Sequence, residues 1–251
     1  MEPDGQNYQI NKNMHKDDFK KFVNKGVENK FHIGTGNPNA QILFIGKESA
    51  ITDDNLEDQK CYERNASNWQ NHVENNTCEI LSYPILEDHV FRREKSWGKN
   101  TWSKYQRLTN HIFEKEERSY HIDFLENVFT TEMNDAPNKN TITADKSKLN
   151  ERKSLLKESD FIQNFPVVVL ACSNYIKNNG DLREIDEIFG VKYEVEYPKK
   201  VYTKTNWFFS HYSEDGIKLV IHTRQLSANV KADLLKDMGE VIREHLKKLK
   251  G

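Results

Sequence analysis

The chain has 251 residues, 36% of them hydrophobic and 30% charged, enough for one domain with a packed core and a densely charged surface. Thirty-seven Lys and Arg against 39 Asp and Glu leave a net charge of -2, which excludes capture of polyanions by overall charge and leaves phosphate contact to a local patch. Cys61, Cys78 and Cys172 are odd in number and widely spaced, and no apolar run approaches the roughly 18 residues that span a bilayer, so a disulfide framework, a metal cluster and a membrane protein are not expected.

From the start of the chain, MEPDGQNYQINKN lacks the basic start and apolar run of a secretory signal, so a cytoplasmic protein with reduced thiols is expected. Phe19, Phe22, Val23 and Val27 form an apolar stripe at helical spacing, which reads residues 1–30 as an N-terminal helical extension. Gln41 to Gly46 (QILFIG) is a buried strand. Residues 52–100 are polar, rich in Asn and weakly periodic, with isolated aromatics at Tyr62, Trp69, Tyr83 and Trp97; a stretch this long inside a domain reads as an irregular functional excursion. Trp102, Tyr105, Leu108, Ile112 and Phe113 predict a second amphipathic helix.

Asn127 to Thr131 (NVFTT) and Val167 to Cys172 (VVVLAC) add two strands. Asp181 is expected to cap a short helix bearing Leu182, Ile185, Ile188 and Phe189. Tyr193, Val195 and Tyr197 alternate with charged residues, and Trp207-Phe208-Phe209 leads through Ser213 to Gly216 into Lys218 to His222 (KLVIH), a hairpin feeding a fourth buried strand. The last helix, from about Asn229, carries an apolar stripe from Leu234 to Leu249, and its terminal Lys247, Lys248 and Lys250 read as a solvated helix end. Continuously apolar strands separated by helices predict an α/β fold over residues 1–251, a three-layer α/β/α sandwich with a mainly parallel central sheet.

The segment from Gly34 to Ala50 carries the most chemistry. A turn delivers the strand QILFIG, and Gly46 opens into Lys47-Glu48-Ser49, a polar loop at the carboxyl end of a strand, where sites in open α/β sheets are built. The phrase GNPNAQILFIG resembles the first motif of the uracil-DNA glycosylase superfamily, whose catalytic carboxylate stands two places after the strand's Gly, here Glu48. His222-Thr-Arg-Gln-Leu226-Ser227 resembles the superfamily's His-Pro-Ser-Pro-Leu-Ser loop, with both prolines and the first serine replaced. Between them Asn127 to Pro137 resembles a middle motif whose base-reading Asn falls on Glu132, or on Asn134 with a slip of register, and Val167 to Cys172 resembles the next strand.

The resemblance implies a uracil-DNA glycosylase-like fold and hydrolysis of the N-glycosidic bond of a damaged or deaminated base in DNA, by a monomer without cofactor or metal. Glu48 would oppose the sugar cation and orient water, and His222 would hydrogen-bond the departing base. Glu132, Asn134 and Tyr62 are the candidates for base recognition, Tyr62 as a stacking wall. Leu226 would be the wedge that fills the vacated stack, with Arg224 and Ser227 at the DNA backbone. Two other classes stay open: a non-catalytic nucleic-acid or partner-binding module, and an enzyme acting on a free nucleoside or nucleotide. A basic strip around the cleft argues for DNA, and a closed acidic pocket for a small ligand.

Overall fold

The computed structural model describes residues 14–51, 56–77, 79–81, 100–194, 200–227 and 229–251. In chain order the helices are α1 (Asp17–Asn29), α2 (Leu56–Glu63), α3 (Asn65–Asn75), α4 (Thr101–Phe113), α5 (Leu149–Glu158), α6 (Asp160–Gln163), α7 (Glu184–Phe189) and α8 (Ala232–Lys248). The strands are β1 (Thr35–Gly36), β2 (Ile42–Gly46), β3 (Phe129–Glu132), β4 (Val167–Leu170), β5 (Asn178–Asn179), β6 (Leu182–Arg183), β7 (Lys192–Tyr193), β8 (Lys200–Thr203), β9 (Asn206–Tyr212) and β10 (Leu219–Thr223).

The four apolar runs form the centre of one sheet in the order β3-β2-β4-β10, all parallel. Antiparallel strands flank them: β1 beside β3, β9 beside β10, and β7 and β8 on the far edge of β9. The sheet thus has the expected parallel centre with antiparallel flanks, because the hairpin from Asn206 to Thr223 turns its first strand back against its second. Register puts Gly46 beside Glu132 and His222 beside Leu170, so the four parallel strands finish at one edge.

Alternation along each central strand sends side chains to two cores. Leu43, Ile45, Val168, Leu170 and Val220 join Phe19 and Phe22 of α1 and Leu155 and Leu156 of α5. Ile42, Phe44, Val167, Val169 and Ile221 join Leu108 of α4 and Leu234, Met238 and Ile242 of α8. Helices thus cover both faces, which is why these strands read as unbroken apolar runs. Each fully buried Leu or Ile in this set contributes roughly 1.5–3 kcal/mol. Packing of α8 on α4 needs a glycine at 239, where a Cβ would stand 2.5 Å from His111 Cβ.

Two elements differ from their expectation. Helix α7 starts at Glu184, with Arg183 and not Asp181 at its N-cap position; Asn178 and Asn179 pair with Leu182 and Arg183 around Gly180, which leaves Leu182 59% exposed. The helix α1 packs on the sheet as an N-terminal helix of the single domain, with Phe19, Phe22 and Val23 in the first core. Residues 56–77, expected to be irregular, are mostly the helices α2 and α3. Their stripe is faint because one side chain, Trp69 at 0% exposure, supplies most of the docking. Cys78, Tyr83, Trp97, Val195 and Tyr197 lie outside the described residues.

Candidate functional site

A cleft of about 270 Å³ opens where the parallel strands end, lined by the loop 46–51, by Thr130, Thr131 and Glu132 of β3, by His32 and Tyr62, by Trp102 and Tyr105 of α4, and by Gln225 and Ser227. Polar ties hold its walls. Met133 and Asn134 donate their backbone N–H groups to the carbonyls of Gly46 and Lys47 at 2.9 and 2.7 Å. Asn65 of α3 accepts from the N–H groups of Ile33 and Gly34 and donates to the Gly34 carbonyl, which also accepts from the Trp69 indole. This clamp fastens α2 and α3 to the turn before β1 and brings Tyr62 into the cleft.

Glu48 lies on the wall of the cleft, 6% exposed. One carboxylate oxygen accepts from the Thr141 hydroxyl at 2.5 Å, the other from the phenol of Tyr175. Burial and that hydrogen bond raise the pKa of the Tyr175 phenol, which therefore stays a donor. Lys47 and Lys146 stand 4.9 and 5.7 Å from the centre of the Tyr175 ring. Burial lowers the pKa of the Lys47 ammonium, Glu48 opposes that shift, and Lys146 and Arg224 reinforce it. Lys47 and Lys146 thus stand beside the phenol that holds Glu48.

Glu132 is partly exposed as a residue, yet its Oε2 is buried without a hydrogen-bond partner. Gly46 makes room for it: a Cβ there would fall 2.2 Å from that oxygen. Burial, and then the nearby Glu48, push its carboxyl up to about 8, against the pull of Arg152. A carboxylic acid is the dominant form at neutral pH, presenting an O–H donor beside a C=O acceptor. The Arg152 guanidinium is fully buried and donates to the Glu132 backbone carbonyl at 3.1 Å and to Thr131 Oγ1 at 2.7 Å. It fixes the end of β3 through backbone and hydroxyl, not through the carboxyl group.

Tyr62 stacks on His32 with ring centres 4.1 Å apart and planes within 1°, and its phenol donates to the Asp135 carbonyl at 2.9 Å. Burial, helped by Arg152, pushes the imidazole down to about 3, so the pair is a neutral aromatic wall.

The other predicted residues sit elsewhere. His222 is not among the cleft-lining residues; its Nε2–H donates to the Ser173 carbonyl at 2.9 Å and Asn178 donates to its Nδ1 at 3.3 Å. Both ring nitrogens are used, and burial pushes its pKa down to about 4. Asn178 also bonds His211, which donates to Asp186 at 2.6 Å, so His222 ends a buried polar chain. Asn134 is 1% exposed and donates its amide to the Asp145 carbonyl, tying loops together outside the cleft.

Leu226, expected as an exposed wedge, is 0% exposed in the core beneath α8, because Gln225 and Ser227 on either side are the ones turned to the cleft. Arg224 donates to the Thr205 carbonyl at 2.9 Å on the surface. Sequence reading missed Thr141, Tyr175, Arg152 and His32. None sits in a motif-like phrase; Tyr175 alone carried a signal, as an aromatic just past a predicted strand end.

Among the described residues no group of three His, Cys, Asp or Glu side chains is placed to hold a metal ion, and no helix is long and apolar enough to cross a membrane. No protein-family model, curated protein or solved structure matches the chain.

Proposed function

We propose that the chain is an N-glycosyl hydrolase of the base-excision type, on a uracil-DNA glycosylase-like fold, acting on a damaged or deaminated base in DNA. The observation that carries the reading is Glu48, oriented by two hydroxyls on the wall of an aromatic-lined cleft at the shared end of the parallel strands. Breaking an N-glycosidic bond builds positive charge on the sugar, and a fixed carboxylate in a partly desolvated cleft stabilises it without reorganising. The same carboxylate is an acceptor for the proton of an attacking water.

The stacked His32–Tyr62 wall, with Trp102 and Tyr105 also lining the cleft, suits a flat heterocycle, whose extraction from a duplex costs a few kcal/mol that stacking offsets. Lys47 on the cleft wall and Lys146, both over the Tyr175 ring, favour a phosphodiester partner over a free nucleoside, in a chain whose net charge offers no general attraction. A second reading, an enzyme acting on a free nucleoside or nucleotide, draws on the two carboxyl groups that share the cleft, Glu48 and Glu132.

The test is release of free base from oligonucleotides carrying uracil, hypoxanthine or xanthine, with the corresponding nucleosides in parallel and Glu48→Ala as control. Release from oligonucleotides alone supports the DNA reading, release from nucleosides alone the second, and release from neither refutes both.

A further inference from the structure

We propose that Glu132, and not His222, delivers the proton to the departing base, so that the cleft works as a pair of carboxyl groups with divided roles. The inference rests on the reading of the cleft as an N-glycosyl hydrolase site.

Three observations carry it. Glu48 and Glu132 line one cleft. The His222 ring does not line it, and its N–H and its lone pair are committed to Ser173 and Asn178. The Glu132 carboxyl rests on the bare Cα of Gly46 with a buried, unpartnered oxygen, so none of the described residues claims its proton. A group whose hydrogen-bonding capacity is unfilled until a ligand arrives is held ready for that ligand.

Burial keeps Glu132 protonated, and of the titratable groups around it only Arg152 pulls the other way. Tyr62 from α2, Tyr105 from α4 and Cys172 beyond β4 are buried, with pKa values raised by burial, the thiol's to about 12. His32 is neutral. Asp135, three residues on, is raised by burial while accepting from the His32 backbone N–H. Glu48 disfavours a second negative charge, and the Arg152 cation, the main opposing influence, donates to backbone and to Thr131. A protonated carboxyl sharing a cleft with a carboxylate held by two hydroxyls supplies a general acid and an acceptor for water's proton.

The step balances. The bond between the anomeric carbon and the base nitrogen breaks, with its electron pair going to the base. The Glu132 O–H proton passes to a nitrogen or oxygen of that base. Water bonds the anomeric carbon and gives its proton to Glu48, and exchange through solvent returns a proton from Glu48 to Glu132. The net change is one water consumed, with free base and a hydroxylated sugar formed. Such an acid matters most when the base offers a basic ring nitrogen to take the proton, as a purine does and uracil does not, which points to hypoxanthine more than to uracil.

The experiment uses the full chain on three oligonucleotide substrates, carrying at one position deoxyinosine, deoxyuridine or a para-nitrophenyl deoxyriboside, whose leaving group needs no proton. Glu132→Gln should lose about 100-fold or more on deoxyinosine, the low end expected of a general acid, but less than about tenfold on the nitrophenyl substrate, which also shows that the variant is folded. Wild-type kcat should fall on the alkaline side near pH 8 as Glu132 loses its proton, and this fall should vanish in the variant. Equal loss on all three substrates, or an unchanged alkaline limb, overturns the role of Glu132 while leaving the hydrolase reading standing. Cleavage of none by wild type overturns both.

Discussion

Replacing Glu132 by Gln should stabilise the protein at alkaline pH and leave it nearly unchanged in acid. The Glu132 carboxyl is raised from 4.5 to about 8 by burial and by Glu48. Between those values the folded chain holds a proton that the unfolded chain has lost, so stability falls as pH rises through this window and is flat on either side. A rise of roughly three and a half pH units, at about 1.4 kcal/mol each, sets an upper limit of roughly 5 kcal/mol. Water reaching the exposed side of the residue reduces this, and a gain of about 2–4 kcal/mol for the variant is expected. Urea unfolding of both proteins at about pH 4.5 and about pH 9 measures it. Curves that stay parallel across the window, with the variant gaining under about 1 kcal/mol, would refute a protonated Glu132.

Gly46→Ala should cost about 1–3 kcal/mol by driving a Cβ into the Glu132 carboxyl, and thermal unfolding should show most of the cost relieved in the double variant with Glu132→Ala; additive losses would count against that contact. Leu226→Ala should cost about 2–5 kcal/mol and leave DNA affinity per folded molecule unchanged, whereas a selective loss of binding would restore it as a wedge. Nitrogen NMR should find His222 as the neutral Nε2–H tautomer down to about pH 5, with a midpoint near 4; because its pKa is depressed, the stability it contributes is lost as pH falls from 6.5 toward that value, and a midpoint above 6 would contradict its burial. Lys47→Ala with Lys146→Ala should flatten the logarithmic salt dependence of oligonucleotide binding by about 1–2, and an unchanged slope would remove these two cations from the interface.

The sheet's centre was legible because strands covered on both faces must be apolar throughout, and β2, β3, β4 and β10 stand within two residues of where that rule puts them. The flanking antiparallel strands were harder, since half-exposed residues such as Trp207 and Phe209 leave only a weak alternation. Glu48 and Glu132 could be found from their place just past or at a strand end. Their environment could not: Arg152 lies on a helix that reads as polar and is nonetheless fully buried, and Thr141 reaches Glu48 across 93 residues of sequence. His222 and Leu226 had the right address, a loop at the sheet's edge, but alternation turned one toward Ser173 and the other into the core.

The most direct measurement is the single-turnover rate of base release from an oligonucleotide carrying a deaminated base, for wild type and for Glu48→Gln. Removing the charge that opposes the sugar cation should slow release by about 100-fold or more, with affinity for the oligonucleotide within a few-fold of wild type. Release by Glu48→Gln at the wild-type rate, or no release by wild type from any deaminated base, would contradict the account.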